Sequence, residues 1–198
     1  RILKGYFEPN EEELENGDKQ PTKAHQAIAL LVKRGTVRVI LTTNFDRLME
    51  QALAEEGISP SVISTPGAVE GAIPLAHSDC TVIKLHGDYL DLDTKNTPME
   101  LSEYDERVDK LLDRVFDEYG LIVCGWSGEW DTALRDAIKR CKNRRFTMWW
   151  ASMGKPARDG QDIIDVCRAQ VIPIQGADEF FEDLSERLSA LDQFARPH

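Results

Sequence analysis

VRVILTTNFD, Val37 to Asp46, sets a short β-branched run directly against a cluster of turn-forming and helix-capping residues. Val37 to Leu41 reads as a strand, because the run is short, β-branched and bounded by polar residues. A helix from about Asp46 to Glu56 follows, with Asp46 placed to cap it and Gly57 to end it. The stretch is therefore one strand, one turn and one helix, and the turn lies at the carboxyl end of the strand.

The same unit recurs in both directions. Upstream, Thr22 to Arg34 puts Ala24, Ala27, Ile28, Leu31 and Val32 on one helical face, with Thr22 as cap and Gly35 as terminator. Downstream come a weak strand, Ser61 to Ser64, a short helix, Pro66 to Ala72, and a clear strand TVIKL, Thr81 to Leu85. After a loop rich in Asp, Asn and Pro, a long amphipathic helix begins at Ser102. It carries Val108, Leu111, Leu112, Val115, Phe116 and Tyr119 in one stripe and closes at Gly120. Strand LIVC, Leu121 to Cys124, helix Asp131 to Cys141, strand Phe146 to Trp150, helix Arg158 to Ala169, strand Val171 to Ile174 and helix Asp178 to Phe194 complete the chain. Strands that alternate with helices and are themselves nearly all apolar predict an α/β fold: a three-layer, Rossmann-like parallel sheet with helices on both faces. Residues 1–198 are expected to form a single domain behind a polar leading segment, 1–21.

Composition narrows the function classes. The chain has 198 residues, 41% of them hydrophobic, which is enough for a core without staples. A net charge of −11 repels phosphate backbones and anionic lipid, so neither nucleic acid nor membrane is expected as a partner. The basic patch RCKNRR, Arg140 to Arg145, reads as cations complementing a helix C-terminus. Cys80, Cys124, Cys141 and Cys167 are scattered, without zinc-ligand spacing, and read as small buried hydrophobes of a reducing compartment. With no apolar run of membrane-spanning length and no signal-peptide pattern, the protein is expected to be soluble and cytoplasmic. The sequence starts at Arg1 rather than Met, so a segment upstream is expected.

In open α/β sheets, ligands lie across the carboxyl ends of the strands. Three strands here end in chemistry-bearing residues: Thr42-Thr43-Asn44-Phe45-Asp46, His86-Gly87-Asp88-Tyr89 and Gly125-Trp126-Ser127-Gly128. Taken singly, each has a plainer reading. Asn44 and Asp46 are good helix caps, His86 suits a satisfied core histidine, and GWSG suits a tight turn.

Taken together and in this order, TTNFDRLMEQAL, IKLHGDYLD and VCGWSGEWD resemble the sirtuin-like family, over most of the chain from Thr22 to the final helix. Their fuller wording looks like bacterial sirtuin-like domains. In that family, the three strand ends surround the nicotinamide riboside half of NAD. The resemblance implies His86 and Asn44 as catalytic residues: His86 as base towards a ribose hydroxyl, Asn44 ordering the ribose or an attacking water. It implies Thr43, Asp46, Gly87, Gly125 and Ser127 as cofactor-binding, with Asp46 holding the nicotinamide carboxamide and Gly125 and Ser127 meeting ribose and phosphates.

The residue types suit the chemistry independently. Cleaving the N-glycosidic bond of NAD expels neutral nicotinamide, so the leaving group needs no acid. The reaction does need an electron-rich pocket for a cationic ribose and a group to orient the nucleophile. Histidine titrates near physiological pH, whereas an asparagine amide only positions.

Three departures from the family are visible. The paired cysteines of the deacylase zinc module are missing between Asp88 and Gly120, and no Gly-rich phosphate turn precedes Thr22. By analogy, the strand before that turn would lie between the TTNFD and GWSG strands. FTMWW, Phe146 to Trp150, stands where sirtuins usually place an asparagine near the adenosine ribose. Trp149 or Trp150 can stack on adenine there, although core packing is the simpler role. The expected function is thus hydrolysis of NAD to nicotinamide and ADP-ribose, a reaction of bacterial antiphage defence, with NAD as substrate and no zinc or other metal. The alternatives are a non-catalytic NAD or ADP-ribose sensor, or an NAD-dependent deacylase or ADP-ribosyltransferase. An attached domain or a homo-oligomer is compatible with each.

Overall fold

The computed structural model describes residues 8–9, 19–90, 103–143 and 145–195. In chain order the elements are α1 (Lys23–Lys33), β1 (Val39–Thr42), α2 (Leu48–Glu55), β2 (Ser61–Ile63), α3 (Pro66–Gly71), a 3₁₀ turn (Leu75–His77), β3 (Thr81–Lys84), α4 (Glu106–Glu118), β4 (Leu121–Cys124), α5 (Thr132–Arg140), β5 (Met148–Ser152), α6 (Arg158–Cys167), β6 (Gln170–Pro173) and α7 (Ala177–Ala195). The architecture is α/β and Rossmann-like, with parallel strands flanked by helices. The strands expected in a single sheet pair as two three-stranded sheets, β1-β3-β2 and β4-β5-β6. They lie in two compact units. Most of the leading segment 1–21 lies outside the described residues, as does Ser102, but the helix expected from Ser102 begins only at Glu106, where Asp105 caps it by accepting from the Arg107 amide.

In the first unit β3 is central and fully buried, and β1 and β2 flank it in parallel register, Ile40 and Val62 both opposite Val82. Helices α1 and α2 close over this sheet: Ala29 and Val32 meet Met49, Ala52, Leu53, Cys80 and Val82 in one buried cluster. The α1 N-terminus is tied to α7 by Asp178, whose Oδ1 accepts from the Ala24 amide at 2.8 Å. That hydrogen bond leads the causes holding the Asp178 carboxyl below its ordinary range. At the other end of α1, Arg34 donates to the Ser185 carbonyl at 3.2 Å and pairs with Asp192 at 2.6 Å.

His25 completes the start of α1, its Nδ1 accepting the Thr22 amide at 3.1 Å. Burial lowers its pKa below 6.5, against the opposing charges of Asp46, Asp178 and Glu50. The unfolded chain therefore binds this proton more tightly. The cap's contribution is complete above pH 6.5 and is lost as pH falls through the lowered folded value. Thermal melts of wild type and His25→Gln should differ most above neutrality and converge in acid. A gap that widens on acidification would contradict this assignment.

In the second unit β5 is central. Its two tryptophans point to opposite faces: Trp150 is buried at 3% exposure, while Trp149, opposite Ile122, is 40% exposed. Trp150 is thus core. Leu112, Ala137 and Ile163 are fully buried in α4, α5 and α6. Within the basic patch, Arg140 pairs with Asp109 and Asp113, and Arg145 with Asp117. A cavity of about 40 Å³, lined by Phe116, Leu121, Ile138 and Met148 among others, sits at the amino ends of β4 and β5, away from the strand tips. Its size is that of a packing gap. Among the cysteines, Cys80 and Cys167 are buried, Cys124 and Cys141 half-buried, and all are free thiols. Burial pushes the Cys80 thiol up to about 11. Among the described residues, no helix is long and apolar enough to cross a membrane.

Candidate active site

The turn after β1 is shaped by its own side chains. Thr42 Oγ1 accepts from the Asn44 amide at 3.1 Å, bending the chain as the strand ends. Asp46 Oδ1 accepts from the Leu48 amide at 3.1 Å, so the expected cap exists, but α2 begins at Leu48 rather than Asp46. Asn44 is left exposed, with Thr43, Phe45 and Asp46 half-buried beside it.

The turn after β3 forms against it. The Leu85 amide donates to the Thr42 carbonyl at 2.9 Å, extending the ladder by one step, and the Gly87 amide turns back to the Lys84 carbonyl at 3.2 Å. Gly87 has φ +93°, a left-handed value that a side chain would strain. The Tyr89 amide then donates to the Phe45 carbonyl at 3.1 Å, and the Phe45 and His86 rings lie 6.1 Å apart at 44°. Asn44, Asp46, His86 and Gly87 therefore come together at one end of the β1-β3-β2 sheet.

Gly125 and Ser127 occupy the corresponding end of β4 in the second unit. Both are exposed, and Ser127 Oγ accepts from the Glu129 amide at 3.2 Å. Gly128, at φ +80°, brings the turn onto α6, where a Cβ on Gly160 would meet the Ser127 carbonyl and the Trp150 ring, each at 2.9 Å. The Trp126 and Trp150 rings stand 6.0 Å apart. Behind the turn, Asp131 is 1% exposed. Its Oδ1 accepts from the Leu134 amide at 2.8 Å, and its Oδ2 from the Tyr104 hydroxyl at 2.8 Å. Burial, then the Asp131 charge, raise the Tyr104 pKa far above its ordinary value.

Sequence reasoning did not single out Gly160, Lys84, Glu50 or Asp88 for a role. Lys84 carried one signal: a cation inside the otherwise apolar TVIKL strand. It is 2% exposed and bonded to both turns, while Glu50 and Asp88 are 8% and 6% exposed beside it. Among the described residues, no group of three or more His, Cys, Asp or Glu side chains is arranged to hold a metal.

A family model described as a SIR2-like domain matches residues 38–170, which include all three strand ends. The chain belongs to the SIR2-like family. No curated protein matches its sequence. Solved Sir2 structures share its fold at low identity. A Sir2 homologue in complex with NAD matches at 19% identity and TM-score 0.53, over 87% of this chain and 66% of that one. A Sir2 homologue mutant with ADP-ribose matches at 19% and 0.54, over 87% and 69%. A Sir2 complex with a p53 peptide and NAD⁺ matches at 16% and 0.53, over 90% and 77%. This SIR2-like chain thus spans just under two thirds of the first of these structures.

Proposed function

We propose that this SIR2-like domain takes NAD at the carboxyl ends of β1 and β3 and hydrolyses it to nicotinamide and ADP-ribose. The observation that carries the reading is the tied pair of turns, which sets exposed Asn44 and half-buried Asp46 beside half-buried His86. The family and the NAD and ADP-ribose complexes of its solved relatives support the substrate.

In this reading, the Asp46 carboxylate accepts from the carboxamide of nicotinamide. The C–N glycosidic bond breaks with its electron pair going to the ring nitrogen, so nicotinamide departs neutral. Asn44 orients the water that supplies hydroxyl to the ribose carbon, the proton that water sheds passes to solvent, and His86 acts as the base towards a ribose hydroxyl. Thr43 and Gly87 line the same patch. The proposal extends, on residue type alone, to Gly125 and Ser127 as contacts for ribose and phosphate. Depletion of NAD is the cellular effect, in keeping with an antiphage role.

The test is to incubate the protein with NAD and separate the products by chromatography. Nicotinamide and ADP-ribose should appear one for one. Saturable binding with NAD recovered intact would replace hydrolysis by a sensor role. NAD-dependent loss of acyl groups from an added acyl-lysine peptide would replace it by deacylation.

A further inference from the structure

We propose that Lys84 is a positioning residue of this site: its ammonium fixes the Asn44–Asp46 turn against the His86–Asp88 turn. The inference rests on the NAD-cleaving reading for its effect on turnover, but not for the clamp itself.

The Lys84 side chain is 0% exposed, and its Nζ lies 2.5 Å from the Asp46 carbonyl, 3.2 Å from the Phe45 carbonyl, 2.8 Å from Asp88 Oδ2 and 3.3 Å from Glu50 Oε1. An ammonium's protons are all engaged by such a set of acceptors. The two carbonyls belong to the turn that presents Asn44 and Asp46. The Asp88 carboxylate belongs to the turn that presents His86, and its Oδ1 also accepts the Leu90 amide at 3.0 Å, setting the chain beyond. One cation thus joins the main chain of one turn to the side chain that shapes the other.

Stability alone does not account for the arrangement. Burying an ammonium and two carboxylates costs desolvation that an apolar residue in this strand would avoid. The cluster is also not fully satisfied, since Glu50 Oε2 is buried without a hydrogen-bond partner. Arg47 stands on the outer side, Nε 3.5 Å from Asp88 and 3.8 Å from Glu50, balancing the second carboxylate. What the charge provides is register between two turns that, beyond Thr42 and Leu85, backbone pairing joins through the bond of Tyr89 to Phe45.

The test compares wild type, Lys84→Met and the triple variant Lys84→Met/Glu50→Gln/Asp88→Asn, which neutralises the ammonium and both buried carboxylates together. Lys84→Met should melt lower, and the triple variant should recover most of the melting temperature. Positioning predicts that kcat for nicotinamide release stays down by about 10²-fold in the recovered triple variant, while KM moves by less than about threefold. Turnover that returns together with stability would overturn the proposal and leave Lys84 a merely structural role. Amide hydrogen exchange at Asn44–Asp46 and His86–Asp88 gives a readout independent of activity: it should accelerate in both turns together in the triple variant. In wild type, NMR should show the Lys84 ammonium protons protected from solvent exchange. Rapid ammonium exchange would overturn the clamp without any variant. If wild type releases no nicotinamide, the hydrolase reading fails, and the two exchange measurements alone decide the clamp.

Discussion

His86→Ala should lower nicotinamide release from NAD by about 10²- to 10⁴-fold, the usual contribution of a positioned acid or base. The substitution leaves the rest of its turn intact. Gly87 keeps its left-handed backbone, Lys84 keeps its contacts with Asp88 and the Phe45 and Asp46 carbonyls, and the Tyr89-to-Phe45 bond does not involve the imidazole. The loss should therefore fall on kcat, with KM little changed, and the melting temperature should fall modestly as contacts of the ring, that with Phe45 among them, are lost. His86→Gln should be as inactive, because an amide fills the space without accepting a proton at neutral pH. Steady-state nicotinamide release settles the point, and equal rates for wild type and His86→Ala would remove His86 from the chemistry.

The largest expected effect on stability is at Asp131, which accepts from the Leu134 amide and the Tyr104 hydroxyl at a position 1% exposed. Asp131→Ala removes the bond that caps α5 at Leu134, worth about 1 kcal/mol, and takes the carboxylate acceptor from the Tyr104 hydroxyl, worth about 1–3 kcal/mol more. A total of about 2–4 kcal/mol in chemical denaturation is expected. Tyr104→Phe should cost less, and the double variant less than the sum of the two, because the pair is shared. An Asp131→Ala variant within about 0.5 kcal/mol of wild type would show that neither bond matters.

Element type was legible in the sequence because the apolar patterning and capping residues are local signals. Boundaries moved where a long-range bond decided them. The strand expected from Val37 begins at Val39, because the Val37 amide is spent closing α1 on the Leu31 carbonyl at 3.2 Å, and pairing with β3 starts at Val39 opposite Thr81. The strand expected over Phe146 to Trp150 slides to Met148–Ser152. Phe146 is 53% exposed, and β6 pairs as far as Ser152. α6 stops at Cys167, two residues before the expected Ala169, because Arg168 takes a left-handed conformation at φ +53°. Among the described residues the strands pair as two sheets, β1-β3-β2 and β4-β5-β6, rather than one.

The candidate site divides in the same way. Asn44, Asp46, His86 and Ser127 were legible as polar residues at strand ends, where ligands of such folds bind. Lys84, Glu50 and Asp88 were not, because a lysine in a strand and a glutamate on a helix acquire meaning only when the fold brings their charges within 3.3 Å. Gly160 was hidden for another reason: a glycine inside a helical pattern reads as a weak helix former until the Ser127 carbonyl is found pressed against it.

The central claim is that the nicotinamide end of NAD meets the tips of β1 and β3. Its most direct test is a titration of isotope-labelled His86→Ala protein, in which NAD survives, monitored by amide NMR shifts. The account predicts saturable shifts at Asn44, Phe45, Asp46, Gly87 and Asp88. Saturation that leaves those amides unmoved while others shift would contradict it.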